Sequence, residues 1–387
     1  MDEIFYRFNP WWEERYKPHF IKREKYLKQL RNSLNSKDVV FITGLRRAGK
    51  TTLMKLFVAQ LIEKYEIDPR YIFYVSLDFY GLEKYSILEI IEQYLKIQKV
   101  SFSEKIYIFL DEIGYKKDFN IQLKNIYDSY NAKVFASSSS VSVLKDKKAL
   151  LTGRERIIEM LPLDFEEFLQ FKDIRIKKSD KHLLESYFEQ YMKIGGIPEF
   201  VLTEDVEYIK QLVDDVIYKD IIVFHGIKEK SVVRDFFYLL MERTGKQFSL
   251  NKISKVLGVG VDTVRRYFDY FQQTYLIYPI ERCGKLNTRI KSPKKIYVGD
   301  VGIKNAVTGL RDKGAIFENL VFFKIKNKNI CYVYENGVEI DFFIDGKILM
   351  EVKYNQKMNK KQKNLFDSIK AEKKIVIDSI ESYLQLS

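Results

Sequence analysis

Cysteine is nearly absent from this chain, with Cys283 and Cys331 the only two. So few thiols, beside three histidines that include the scattered His19 and His225, exclude a zinc framework and make a disulfide unexpected. The composition fits a reducing interior. No run of eighteen uncharged apolar residues occurs, so no transmembrane helix is expected. The opening "MDEIFYRFNPWWEERYK" has neither a basic start nor an apolar core, and therefore no secretory signal is expected. These absences predict a cytoplasmic protein with no membrane partner. Acidic charge is also in deficit. Lys plus Arg exceed Asp plus Glu by 66 − 53 = 13, a balance that favours a polyanionic partner such as nucleic acid over a neutral one.

What is present first is an alternation of strands and helices. Residues 39–43 ("VVFIT"), 71–77 ("YIFYVSL"), 106–110 ("IYIFL") and 133–136 ("KVFA") are short β-rich apolar runs separated by helical stretches such as Thr52–Lys64 and Ile87–Lys96. That order predicts an α/β fold with a parallel sheet covered on both faces. Pro162 ends the pattern. Residues 163–240 read as amphipathic helix, interrupted at "IGGIPEF", where Gly195-Gly196 and Pro198 mark a hinge or helix terminator.

Gly44-Leu45-Arg46-Arg47-Ala48-Gly49-Lys50-Thr51 satisfies G-x-x-x-x-G-K-[ST] between a strand and a helix. Glycines let such a loop curl so that its amides face phosphate oxygens, and the following helix presents its positive end. Lys50 would neutralise the β- and γ-phosphates, the Thr51 hydroxyl would hold Mg²⁺, and Thr52 would add a bond to the α-phosphate. ATP and magnesium are thus the expected ligands.

In "KIYIFLDEIGY", Asp111 ends an apolar strand and would hold the same magnesium, while Glu112 would polarise the attacking water. A carboxylate base beside a metal-holding one favours hydrolysis, and the pairing looks like the additional-strand class of P-loop ATPases. Further on, "KVFASSSS" ends a strand in serines, among which Ser137, then Ser138, would sense the γ-phosphate; an ordinary serine-rich loop is the alternative. Arg154 in "LTGRER" is a candidate transition-state stabiliser, in cis or from a neighbouring subunit, with a plain surface arginine as its alternative. Trp11, Trp12 and Phe20 read as core packing before an adenine wall, and Asp78 as a loop carboxylate near the site.

The segments "GLRRAGKTTL", "IFLDEIGY", "LTGRERIIEMLPLDFEEFL", "GGIPEF" and "GAIFENLVFFKI…GVEIDFFIDGKILMEVKY" span most of the chain. Together they resemble the archaeal and bacterial AAA-like P-loop ATPases that carry a winged helix and a C-terminal restriction-endonuclease-like domain. The resemblance implies ATP binding, slow hydrolysis and nucleic-acid association, and it favours Arg154. Where that family tends to show Thr-Gly-Ser before the serines, Phe135 and Ala136 stand here.

In "LNKISKVLGVGVDTVRRYFDYF", Ile253, Val256 and Leu257 form one helical apolar stripe and Val264, Tyr267, Phe268 and Phe271 a second. Asp262 or Thr263 would cap the second helix, leaving Arg265 and Arg266 for DNA phosphates. A winged helix used only for packing is the alternative. Near the C-terminus, Asp341, a turn at Asp345-Gly346, and Glu351-Val352-Lys353 form the D-x(n)-E-x-K arrangement of nuclease-like folds, with Glu318 on the preceding helix. Two such carboxylates would hold Mg²⁺ and the lysine would orient water.

The expected domains are a P-loop core (1–160), a helical lid (161–227), a winged helix (228–285) and a small α/β nuclease-like domain (286–387). Two functions compete. In one, ATP hydrolysis is coupled to a DNA-contacting module; in the other, a slow ATP switch carries a catalytically inactive scaffold for nucleic acid or protein.

Overall fold

Five strands form the first sheet among the described residues: Val39–Thr43 (β1), Ile72–Ser76 (β2), Ile106–Asp111 (β3), Ala132–Ser138 (β4) and Glu155–Glu159 (β5). The computed structural model describes residues 1–140, 153–177, 180 and 182–386. The chain divides into two units, Met1–Leu161 and Pro162–Ser387.

In the first unit the order is β2-β3-β4-β1-β5, every pairing parallel, so β4 lies between β1 and β3. Alternation along the strands fills both faces. Val39 and Phe41, with Phe73, Val75, Ile106 and Ile108, enter one core. Val40 and Ile42, with Ile72, Tyr74, Tyr107 and Phe109, enter the other. Every residue of β1 is buried, as a strand covered on both faces requires. The helix Lys50–Glu63 packs Leu53, Met54, Phe57, Val58 and Leu61 on the second core, while Ile87–Gln98 and Phe119–Ser129 cover the first. Trp11 and Trp12 belong to this packing: both indole N–H groups donate to the Ile72 carbonyl, and Trp12 stacks on Phe73.

The second unit begins with the helices Phe165–Phe171, Leu183–Ile194, Pro198–Thr203 and Val206–Asp215, the last running into a π-helical turn at Val216–Val223. Gly195, at φ +77°, ends the second of these, and a Cβ there would meet the Asp300 carboxylate at 2.5 Å. Asp300 accepts from the amides of Gly196 (2.7 Å) and Ile303 (3.1 Å), which offset the burial that pushes its carboxyl up to about 6. The Gly-Gly-Pro punctuation therefore terminates a helix and lets backbone close on a buried carboxylate.

Among the described residues seven strands follow in one sheet: Gln247–Phe248 (β6), Ile277–Arg282 (β7), Lys294–Val298 (β8), Ile330–Glu335 (β9), Val338–Ile344 (β10), Ile348–Val352 (β11) and Lys373–Ile377 (β12). Their order is β12-β11-β10-β9-β7-β8-β6, so the sheet runs on unbroken across residue 285. The helices Leu250–Leu257 and Val261–Gln273 flank a turn at Gly258 (φ +66°). Val264, Tyr267, Phe268 and Phe271 are buried as expected, but Val256 is 67% exposed. No side chain caps the second helix: Gly260 is its N-cap, and Asp262 lies in its first turn.

One expectation from composition is overturned. Cys283 and Cys331 form a disulfide across 48 residues of sequence. The reason is tertiary, because β7 and β9 pair in parallel with Glu281 opposite Cys331, and Cys283 follows two residues on.

Candidate functional site

Three loops meet at the C-terminal ends of β1, β3 and β4. After β1 the chain turns sharply at Gly44 (φ +141°), where a Cβ would lie 2.2 Å from the Met160 carbonyl oxygen, a contact only glycine permits. Arg47 (φ 64°) and Gly49 (φ +100°) complete the curl. Lys50, 5% exposed, starts the helix and folds its ammonium back onto the carbonyls of Gly44 (3.0 Å) and Leu45 (3.2 Å). The loop is thus closed around a cation. Thr51 and Thr52 sit half-buried in the first helical turn.

The Thr51 hydroxyl donates to Asp111 Oδ2 at 2.6 Å, joining the loop to the tip of β3. Asp111 is 2% exposed and takes two further donors, the Tyr74 hydroxyl on Oδ2 (2.7 Å) and Ser137 on Oδ1. Ser137 also accepts from the Glu112 amide at 2.9 Å. Glu112 stands in a left-handed conformation (φ 51°, ψ 52°), sparsely populated for a residue with a side chain. Its carboxylate accepts from Ser139 at 3.2 Å. A hydroxyl and a carboxylate converging in this way are the hard oxygen donors that suit magnesium, so Thr51 and Asp111 fit the ion the motif implies.

The other expected residues take different places. Ser137 is wholly buried between Asp111 and Glu112, while Ser138 bonds within its own loop to Ser140. Arg154 is not at the phosphate loop in cis. Its carbonyl accepts from Val39 at the opposite end of β1, and its guanidinium pairs with Asp128 at 3.0 Å over the Tyr127 ring. Five residues of strand separate Val39 from Gly44, about 16 Å, and the parallel β1–β5 register places Arg154 on the far edge. Asp78 bonds to Ser76 beyond β2.

Two residues emerge from the fold alone. Tyr74 reads as one more apolar strand residue, and only its strand's place beside β3 directs its hydroxyl to Asp111. Burial and the Asp111 charge raise this phenol far above the usual tyrosine range, so it stays a donor. Replacing Tyr74 by Phe is expected to raise the Mg²⁺ concentration for half-maximal turnover about tenfold, as loss of one bond to a charged group predicts. Nucleotide affinity, followed by titration, should hardly move. Arg23 is 4% exposed and donates to the carbonyls of Ala48 (3.2 Å) and Leu161 (2.8 Å), tying the loop to the end of the first unit.

In the second unit, Arg265 pairs with Asp262 at 2.7 Å and Arg266 lies over Tyr267. Arg265 also lines a cleft of about 590 Å³ with Phe268, Ile290, Lys291 and Lys294. The carboxylates near the C-terminus do assemble. The Asp341 amide donates to Glu351 Oε2 (3.1 Å), and Lys353 pairs with Glu351 at 2.6 Å. Burial first, then the Asp341 charge, pushes the Glu318 and Glu351 carboxyls upward, and the Lys295 and Lys353 ammonium groups work against it. A residue that no motif marks, Lys295 on β8, also enters this cluster.

Residues 36–169 match the family model of an AAA domain, which supports an AAA-like P-loop ATPase core. Residues 185–314 match a domain of unknown function. An uncharacterized protein of Methanocaldococcus jannaschii is 29% identical over 386 residues, covering 94% of this chain and 84% of that protein. A second from the same organism is 25% identical, covering 92% and 84%. An uncharacterized protein of Haemophilus influenzae is 25% identical, covering 83% of each. The solved Pif1 helicase from Candida albicans aligns with 43% of this chain and 47% of its own, at 14% identity and a TM-score of 0.28, too slight a likeness to bear on function.

Proposed function

We propose that this protein is a magnesium-dependent ATPase whose nucleotide state governs a nucleic-acid-facing second unit. One observation carries the reading: the Thr51 hydroxyl at the start of the loop helix meets Asp111 at the end of β3 at 2.6 Å. Loop and carboxylate come from segments 60 residues apart in sequence, and their convergence is what triphosphate binding needs.

In this reading the loop from Gly44 to Thr52 and the Lys50 ammonium bind the phosphate tail. Thr51 and Asp111 would hold magnesium, which supplies charge neutralisation at the phosphates when bound. Glu112 orients the attacking water, and its bonds to Ser137 and Ser139 fix where its carboxylate points. Tyr74 and Ser137 keep Asp111 from rotating. Unit two then comprises a helical lid, a winged helix and a nuclease-like module. The whole chain's net charge of +13, together with the cleft of unit two lined by Arg265, Lys291 and Lys294, supports DNA as its partner.

A second reading makes the chain a slow switch with an inactive nuclease-like scaffold, favoured by the Lys295 ammonium among the C-terminal carboxylates. Calorimetry with ATP and Mg²⁺, followed by steady-state phosphate release with single-stranded, duplex and branched DNA, tests both. Stimulation by DNA supports the coupled ATPase, and a slow, DNA-indifferent rate supports the switch. No magnesium-dependent nucleotide uptake would remove both.

A further inference from the structure

The nuclease-like arrangement calls for a divalent ion among Glu318, Asp341 and Glu351, and the side chains present do not fit one. Lys295 is fully buried, and its Nζ reaches Glu318 at 2.6 Å, Glu339 at 2.6 Å and Asp341 at 2.8 Å. An ammonium carries three N–H donors, and three carboxylates surround this one.

The second oxygens of Glu339 and Asp341 are engaged as well: Gln247 donates to Glu339 Oε2 (2.7 Å) and the Val352 amide to Asp341 Oδ2 (2.9 Å), while Tyr297 adds a second donor to the Glu318 oxygen that Lys295 meets (2.6 Å). Glu351 receives Lys353, Gln362 (3.1 Å) and the Asp341 amide. Magnesium binds oxygen at about 2.0–2.1 Å in near-octahedral geometry. A metal in this place would have to expel the ammonium and draw the carboxylates inward. Two cations sharing these oxygens would also repel strongly in a buried site.

We propose that Lys295 is the resident cation of the Glu318–Glu339–Asp341 centre, filling with the chain's own ammonium the place of a divalent metal. Lys353 already occupies the E-x-K position beside Glu351, so Lys295, from a different strand, is additional to that pattern. Three consequences follow for the wild-type protein. Mn²⁺ and Mg²⁺ find no site here, phosphodiesters are not cut here, and the centre ties β8 to β10 and to the helix Lys313–Ile325 by charge. Removing the ammonium while keeping the carboxylates exposes a latent divalent-cation site. No residue of the nucleotide site takes part, so the result is separate from that of the ATP experiment.

The test is Mn²⁺ uptake followed by electron paramagnetic resonance, on the nucleotide-free full chain, with Asp341 as the reporter of location. Wild type and Asp341→Asn are expected to take up equal Mn²⁺. Lys295→Met is expected to gain one further site, at least tenfold tighter than any shared background, and Lys295→Met with Asp341→Asn is expected to lose it. A drop in uptake from wild type to Asp341→Asn overturns the proposal, as does a folded Lys295→Met that gains nothing. Should Lys295→Met fail to fold by circular dichroism, the wild-type and Asp341→Asn pair decides alone, equal uptake supporting the resident ammonium. Glu318→Gln replaces Asp341→Asn in the same comparison if the latter is unfolded.

Discussion

Replacing Glu112 by Gln is expected to leave Mg²⁺–ATP affinity within about twofold and to lower turnover by about 10²–10⁴-fold, the range a positioned general base contributes. The substitution keeps shape and removes charge. Ser137 still receives the residue-112 amide, and Ser139 can still donate to the side-chain oxygen, so the left-handed turn that aims the side chain survives. What disappears is the negative charge that, in the proposed role, draws a proton from water. Phosphate release under single-turnover conditions, beside equilibrium binding of a fluorescent ATP analogue, separates the two effects. Wild-type turnover in this variant would falsify the role given to Glu112. Loss of binding together with turnover would instead point to a disturbed loop.

Lys50→Ala produces the opposite pattern, a loss of binding. The ammonium is 5% exposed and rests against two loop carbonyls, close to where a phosphate tail would bring its charge. Truncating one partner of a buried charge pair costs about 2–5 kcal/mol, so affinity for Mg²⁺–ATP should fall by about 30-fold to several thousand-fold. Calorimetry measures this directly. A thermal melt without nucleotide serves as the control, because the substitution also removes two hydrogen bonds to the loop carbonyls. An affinity loss without a collapse in melting temperature assigns the effect to the phosphate. Unchanged affinity in a folded Lys50→Ala protein removes the nucleotide site from its proposed place.

Glu112 and Lys50 are both legible in the amino-acid sequence, for a local reason. A phosphate loop needs glycines, a lysine and a hydroxyl at fixed spacing within a few residues, and the carboxylates end a strand whose apolar run is itself contiguous. The core strands are equally legible, since burial on both faces demands unbroken apolar text at β1 and β3. Even the buried face of the helix Val261–Gln273 can be read from spacing. Val256 on the helix before it cannot, being left exposed by packing that no single helix encodes.

Local chemistry was thus written along the chain: a loop that must curl, strands that must be covered, and a run from Asp341 to Lys353 that must bring two carboxylates and a lysine onto neighbouring strands. Which distant groups share an environment was settled only by the packing of the strands. Strand direction carried Arg154 away from the phosphate loop, the place of β2 beside β3 gave Asp111 its Tyr74 donor, and β7 against β9 joined the two cysteines. Likewise β8 delivered Lys295 into carboxylates contributed by β10 and the helix Lys313–Ile325. The physical reason is that motif spacing records neighbours along the chain, whereas ion pairs and hydrogen bonds act over a few ångströms of space. Residues 46 apart, such as Lys295 and Asp341, become partners only once the sheet has chosen its order.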